Sequence, residues 1–332
     1  MRYFGSKVST LNSILNIMPP SIKSGYFCDP FGGIGVVGSF FKSKGFRVYT
    51  GDILTFAHYF QASRISLSKT PPFKNLLSSL NLKYNIEIES YLNSLQPTYG
   101  WFTKEYSSDR MFFTKDNAGR IHSCMDTIHS WNVLQLLNDL EYKLLIASLI
   151  NSADKVANTA GTYYAYLKQF NRRSLKRFDF SLINPEPGLS GCKSFLDDAQ
   201  VVATKRHYDV LYLDPPYNER NYSRYYHLPE TMALGQKPQL SGKSGMPQRP
   251  FPVTRFNSPS LAEKAFQDII NKASFNFLIF HYSGEGLIPH EMIMSLLSPL
   301  GESEVVEISG KGYTNKSTSR STKHLLYVVK NA

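Results

Sequence analysis

The stretch Val210-Leu211-Tyr212-Leu213-Asp214-Pro215-Pro216-Tyr217 joins an apolar run to a carboxylate, two prolines and an aromatic ring. Consecutive prolines carry no N–H and hold φ fixed, so a strand ending there must stop. The result is a rigid turn at a strand's carboxyl edge, offering a carboxylate, bare backbone carbonyls and a ring face. Open α/β sheets bind ligands at that edge. Such a turn suits a planar heterocycle with an exocyclic amino group. The ring stacks on Tyr217, and the amine donates to Asp214 and to the carbonyl of Pro215. The competing reading is a proline-rich turn behind a buried strand, and four residues alone do not separate the two.

A second stretch repeats the logic. Tyr26-Phe27-Cys28-Asp29-Pro30-Phe31-Gly32-Gly33-Ile34-Gly35 is a short apolar strand that ends in an acid and a glycine-rich turn. Val36 to Lys44 reads as a helix stopped by Gly45. Glycines let a ligand approach the backbone, and the helix start offers free N–H groups. The spacing is not the dinucleotide G-x-G-x-x-G, and no phosphate-loop lysine follows. A further strand, Arg47 to Gly51, ends in Asp52, where Rossmann-like folds place a carboxylate for ribose hydroxyls.

Together these motifs resemble those of adenine-specific DNA methyltransferases that use S-adenosylmethionine, in the group whose cofactor motifs precede the catalytic turn. Residues 1–65 and roughly 190–330 carry the likeness. Arg2-Tyr3-Phe4-Gly5-Ser6-Lys7 is similar to the family's N-terminal motif, which implies that Tyr3 and Lys7 pack over the cofactor. Tyr3 stands where relatives often have tryptophan. Asp29, Phe31, Gly33 and Gly35 match the methionine-binding loop, and Asp52 the ribose-binding acid. Asp198, preceded by a second acid in Asp197, resembles the acid facing the cofactor's adenine. Asp214, Pro215, Pro216 and Tyr217 match the catalytic turn, with Asp214 also near the cofactor. The resemblance implies a Rossmann-like α/β sheet and S-adenosylmethionine as cofactor. It also implies double-stranded DNA as partner, with a cognate restriction endonuclease as a possible second one.

Size and composition agree with this reading. The chain has 332 residues, 42% of them hydrophobic, with 21 Tyr and 22 Phe, enough for one large domain with an insertion. A net charge of +11 points to a polyanionic partner. Three cysteines without a C-x-x-C pattern fit a reducing compartment and argue against a zinc site, and the scattered histidines form no metal constellation. The polar first residues predict no secretory leader, and no run is long enough to span a membrane. The expected location is the cytoplasm of a prokaryote, on the nucleoid.

Strand and helix alternate from Tyr26 to about Ser66, then Thr70-Pro71-Pro72 breaks the pattern. Helices are expected at Asn85–Leu95, Ile121–Leu137 and Tyr142–Asn158. Strands are expected at Asp209–Leu213, Phe275–His281, Glu304–Ile308 and His324–Val329, with a helix at Pro289–Leu297. The simplest division has residues 1–66 and 190–332 as the catalytic domain, and 67–189 as an inserted, mostly helical target-recognition domain.

Three segments suit nucleic acid. Gly161 to Arg177 interleaves aromatics and amides with cations. Arg172, Arg173, Lys176 and Arg177 are assigned to phosphates, and Thr162, Lys168 and Gln169 to base edges. A solvated basic helix face is the alternative. Gln236 to Phe256 reads as a mobile loop presenting Lys243 and Arg249. Lys311 to Arg320 is a basic, hydroxyl-rich loop presenting Lys316 and Arg320. His281 closes a strand beside the catalytic turn, so it either lines the base pocket or is a core histidine. His227, with Tyr225 and Tyr226 just past that turn, either contacts the target strand or packs.

The expected reaction is methyl transfer to adenine N6 after base flipping. The catalytic turn does not itself distinguish DNA from RNA, but a long insertion favours a duplex-reading surface. A nonenzymatic DNA-binding module is opposed by the intact acids, glycines and catalytic turn. A nucleotide-dependent oxidoreductase is opposed by the glycine spacing.

Overall fold

The computed structural model describes residues 1–108, 110–248, 252–311 and 321–331. It divides into two compact units.

The α/β unit comprises Phe4–Ser68, Glu186–Asn221 and Pro252–Ala332. Its sheet has seven strands: β1 (Gly25–Asp29), β2 (Phe46–Asp52), β3 (Lys193–Leu196), β4 (His207–Leu213), β5 (Ser274–Tyr282), β6 (Gly301–Lys311) and β7 (Ser321–Asn331). Their spatial order is β3-β2-β1-β4-β5-β7-β6. The first five run parallel, and β7 lies antiparallel between β5 and β6. Both faces are covered, so the central strands read as continuous apolar runs. One face packs Phe27, Val210, Tyr212 and Ile279 with Phe41 and Val48. The other packs Cys28, Leu211, Leu213 and Phe280 with Phe266 and Ile269. Chain order reverses between β1 and β4. That switch point is where an open sheet leaves a crevice at its carboxyl edge. Asp29 ends β1 there and Asp214 follows β4.

The helical unit comprises Met1–Tyr3, Lys69–Pro185 and Tyr222–Phe251. Two of these pieces, the first three residues and the segment from Tyr222, lie in the catalytic part of the division by sequence. Polar contacts explain the first. The terminal ammonium binds Asn151, the Arg2 guanidinium binds both Asp154 oxygens at 3.2 and 3.3 Å, and Tyr3 stacks on Tyr226 at 4.8 Å. The second is tied by His227, whose Nε2 lies 2.8 Å from the Tyr163 carbonyl.

Two long helices dominate this unit, Lys115–Val133 and Asp139–Val156. Both start earlier than hydrophobic periodicity suggests, because caps set their starts. Thr114 accepts from the Asn117 N–H, and Asn138 with Glu141 forms a reciprocal capping box. Gln135, at φ +57°, turns the chain between them. The segment expected as a mobile loop contains a short antiparallel ribbon, Leu240–Ser241 against Met246–Pro247.

Candidate active site

The glycine turn after β1 is built by backbone contacts that only glycine permits. Gly33 and Gly35 have φ of +50° and +78°. A Cβ on Gly32 would lie 2.1 Å from Thr50 Oγ1, a fully buried atom beside the buried amide of Gln61. Gln61 Nε2 donates to the carbonyls of Gly33 and Gly51, at 2.8 and 3.2 Å, tying the turn to the end of β2. Asp52 finishes the clamp. Its Oδ2 accepts from the Gly33 N–H at 3.1 Å and its Oδ1 from the Leu54 N–H at 2.9 Å. The carboxylate therefore ties the turn to Leu54, the residue that precedes the next helix, Thr55–Gln61.

Three carboxyl groups meet at this edge. Asp29 is fully buried, and its Oδ1 has no hydrogen-bond partner. Burial raises its pKa well above the usual carboxylate range, and the neighbouring charges of Asp214 and Asp52 add to that. Burial also raises Asp214, offset in part by Lys7, whose Nζ sits 2.6 Å from Asp214 Oδ2. Both side chains of this pair are largely buried, at 11% and 17% exposure, so solvent screens it little. Lys7 thus answers Asp214 directly and lowers the Asp29 pKa in part, while the two acids and Asp52 raise one another's cost of ionisation, a balance that a cationic ligand would improve.

The Asp214–Tyr217 turn is braced from the end of β5 and the loop after it. The Tyr217 carbonyl accepts from the Leu287 N–H at 3.0 Å, and its ring meets Tyr282 edge-on at 6.4 Å. Asn257 Nδ2 donates to the carbonyls of Asn218 and Arg220, fixing the chain just beyond. The Tyr217 ring remains half-exposed. An aromatic ring thus stands three residues from the Asp214 carboxylate, on a turn held at Tyr217 and at Asn218.

Sequence comparison places this arrangement. The family described as D12 class N6 adenine-specific DNA methyltransferase matches residues 3–282. The chain belongs to that family. It is 34% identical over 319 residues to the type II methyltransferase M.FokI of Planomicrobium okeanokoites, covering 93% of this chain and 48% of that protein. It is 29% identical to the modification methylase LlaI of Lactococcus lactis subsp. lactis, covering 97% and 52%. It is also 29% identical to the type II methyltransferase M.NlaIII of Neisseria lactamica, covering 97% and 96%. The chain thus spans about half the length of the first two and nearly all of the third.

Other residues singled out by their likeness to this family lie as follows. Lys7, Asp29, Phe31, Gly33, Gly35, Asp52, Asp198 and Asp214 all belong to the α/β unit, whereas Tyr3 belongs to the helical unit. The two acids after β3 differ in commitment. Asp197 pairs with Lys205 at 3.6 Å and accepts from the Asp198 N–H. Asp198 caps the next helix, with Oδ1 accepting from the Gln200 N–H at 2.9 Å. The Phe31 ring meets Phe256 edge-on at 5.1 Å.

The basic run of the helical unit is a series of turns and not a helix. Asn158 and Asn171 organise it. Asn158 Oδ1 accepts from the Asn171 N–H, and Asn171 Oδ1 from the N–H groups of Arg173 and Ser174. Arg172, Lys176, Arg177, Lys168 and Gln169 are exposed, and Thr162 is half-buried. Arg173 is different: it donates to the Ala157 carbonyl at 2.8 Å and pins the run to the preceding helix. Lys243 is exposed, in the turn of the ribbon. Arg249, Lys316 and Arg320 lie outside the described residues.

His227 is buried, and burial lowers its pKa to about 4, the packing outcome of its two readings. Gln61, Asn257 and His324 were not assigned from sequence, and His281 has two readings there. A lone amide carries no local signal; a helix brings Gln61 to the site, a short helical turn brings Asn257, and strand adjacency brings His324 to His281. Among the described residues no group of His, Cys, Asp or Glu could hold a metal ion, and no helix is long and apolar enough to cross a membrane.

Proposed function

We propose that this chain transfers a methyl group from S-adenosylmethionine to N6 of adenine in duplex DNA. It would act as the modification enzyme of a restriction–modification system or as a solitary methylase. The observation that carries this reading is the edge itself. Asp29, Asp52 and Asp214 converge there, with Lys7 on Asp214, beside a braced turn that presents Tyr217. Family membership supplies the reaction class. The printed names of M.FokI, LlaI and M.NlaIII, as type II or modification methylases, support the wider role.

The residues present fit the cofactor. An orphaned, buried carboxylate oxygen on Asp29 suits the cationic amino-acid end, and the positive-φ glycines leave room against the backbone. Asp52 would hold the ribose hydroxyls. Asp198, less committed than Asp197, would face the adenine. S-adenosylmethionine brings a methyl group already activated on a sulfonium. The chain's own task is therefore alignment and electrostatics. Tyr217 would stack on the flipped base. Asp214 and the Pro215 carbonyl would accept from the amine, favouring tetrahedral nitrogen and stabilising the charge that develops there. Pro216 would keep the turn rigid. The helical unit, around residues 67–189, would read the duplex. Arg172, Lys176, Arg177 and Lys243 would lie against phosphates, and Thr162, Lys168 and Gln169 at base edges.

Methylation-sensitive sequencing of DNA from cells expressing the chain tests this. The expected result is N6-methyladenine at one short recurring sequence. Unmodified DNA alongside labelled RNA would transfer the reading to an RNA substrate. No methyl transfer to either, with no binding of S-adenosylmethionine, would end it.

A further inference from the structure

A buried polar chain continues inward from the catalytic edge. The Tyr212 hydroxyl lies 2.8 Å from His281 Nδ1, and His281 Nε2 lies 3.0 Å from His324 Nδ1. The two imidazoles meet edge-on at 5.0 Å. Strand register explains the placement. Leu213 of β4 pairs with Phe280 of β5, so the next residues, Asp214 and His281, sit side by side at the carboxyl edge. Tyr282 of β5 pairs with Leu325 of β7, which brings His324 alongside. With period-two alternation, Tyr212, Asp214 and His281 lie on the same face of the sheet as Asp29.

We propose that His281 and His324 are positioning residues for methyl transfer: the pair, anchored on Tyr212 and set by strand register beside Asp214, backs the Lys7–Asp214 contact, so that Lys7 keeps Oδ2 and the carboxylate's other oxygen is left for the target amine. This inference rests on the reading of the site given above. Among the described residues, Lys7 from the N-terminal segment, Tyr212 of β4 and Asp214 just after it are the titratable or charged groups that act on or bond the pair. From β6, the apolar Ile308 is opposite His324. Burial lowers both imidazoles, and the Lys7 charge lowers them further, while Asp214 acts in the opposite sense on His324. Protonating His324 would set a second cation against Asp214 and compete with Lys7 for it. The hydrogen-bond chain is satisfied in either direction with both rings neutral. If Tyr212 donates to His281 Nδ1, then His281 Nε2–H donates to His324 Nδ1, and neither ring needs a second proton.

The test combines imidazole titration by NMR with steady-state methylation kinetics, on the full chain. In the wild type, His324 should titrate below the ordinary histidine range. Lys7→Met should raise its midpoint by about half a pH unit or more, because a neighbouring cation is removed. Tyr212→Phe, which deletes only the hydroxyl, should move the His281 midpoint while the sheet stays folded. His324→Asn should lower kcat about tenfold while leaving KM for S-adenosylmethionine within about twofold, and should displace the acid limb of the kcat–pH profile. A packing role would lower kcat equally at every pH and leave the limb in place. The proposal is overturned by a His324 midpoint unchanged in Lys7→Met, or by a His324→Asn variant with the wild-type profile. A wild type that methylates no adenine would instead overturn the functional reading, and the NMR coupling would still be measurable.

Discussion

Asp52 offers the sharpest quantitative test, because its carboxylate has two duties. Its two oxygens accept the N–H groups of Gly33 and Leu54, at 3.1 and 2.9 Å, and the same group is assigned to the cofactor's ribose. A hydrogen bond to a charged acceptor contributes about 1.5–3 kcal/mol net. Asp52 is half-exposed, so water can replace part of each bond in Asp52→Ala. Taking about 1 kcal/mol for each, the unliganded protein should lose about 2 kcal/mol of stability. Losing the ribose contact should weaken S-adenosylmethionine binding by about 1–3 kcal/mol, or roughly 5- to 150-fold in Kd. Asp52→Asn should fall between, since its amide keeps one acceptor but turns an NH2 toward the other N–H. Urea titration with and without cofactor, together with calorimetry, measures both effects. The two must agree, because stabilisation by ligand depends on the ratio of free ligand to Kd. A wild-type Kd in Asp52→Ala would remove the residue from the site. Weakened binding with unchanged unliganded stability would refute its structural duty.

Asp214→Ala should lower methylation by at least about 10²-fold while cofactor affinity changes little, and Asp214→Asn should retain part of the activity through its amide oxygen; near-wild-type turnover in Asp214→Ala contradicts the assignment. S-adenosylmethionine affinity should rise with pH. Burial raises the Asp29 pKa in the unliganded fold, only the ionised form attracts a cation, and so binding strengthens as pH climbs through that raised value. Calorimetry across pH should show this slope in the wild type and a flatter one in Asp29→Asn. Gly32→Ala should cost about 1–3 kcal/mol of stability by overpacking, read from Tm, because its Cβ would press on buried Thr50. A triple alanine variant of Arg172, Lys176 and Arg177 should weaken binding to every duplex and flatten the salt dependence by roughly one log–log unit per lost phosphate contact. Unaltered affinity and slope would make the run an ordinary solvated surface.

The order of the motifs along the chain, read with their family resemblance, already pointed to the chemistry. Strand, acid and glycine turn at Asp29–Gly35, a second acid at Asp52 and the stiff turn at Asp214–Tyr217 are local patterns. Proline geometry, glycine freedom and apolar alternation write them into contiguous residues. Element boundaries were less legible. The long helices begin where Thr114 and Asn138 cap them, ahead of their apolar stripes, and β6 and β7 lengthen because each pairs with the other along eleven residues. Contacts between distant residues were not legible at all. Lys7 meets Asp214 across most of the chain, Gln61 reaches back to Gly33, and His281 meets His324 only because β7 inserts antiparallel beside β5. The same holds for Arg173, which sequence grouped with its basic neighbours and the fold turned inward to the Ala157 carbonyl. Residue type and spacing determine what a segment can do, whereas charge balance and hydrogen-bond partnership depend on which strands become neighbours. That is a property of the sheet and not of any window of sequence.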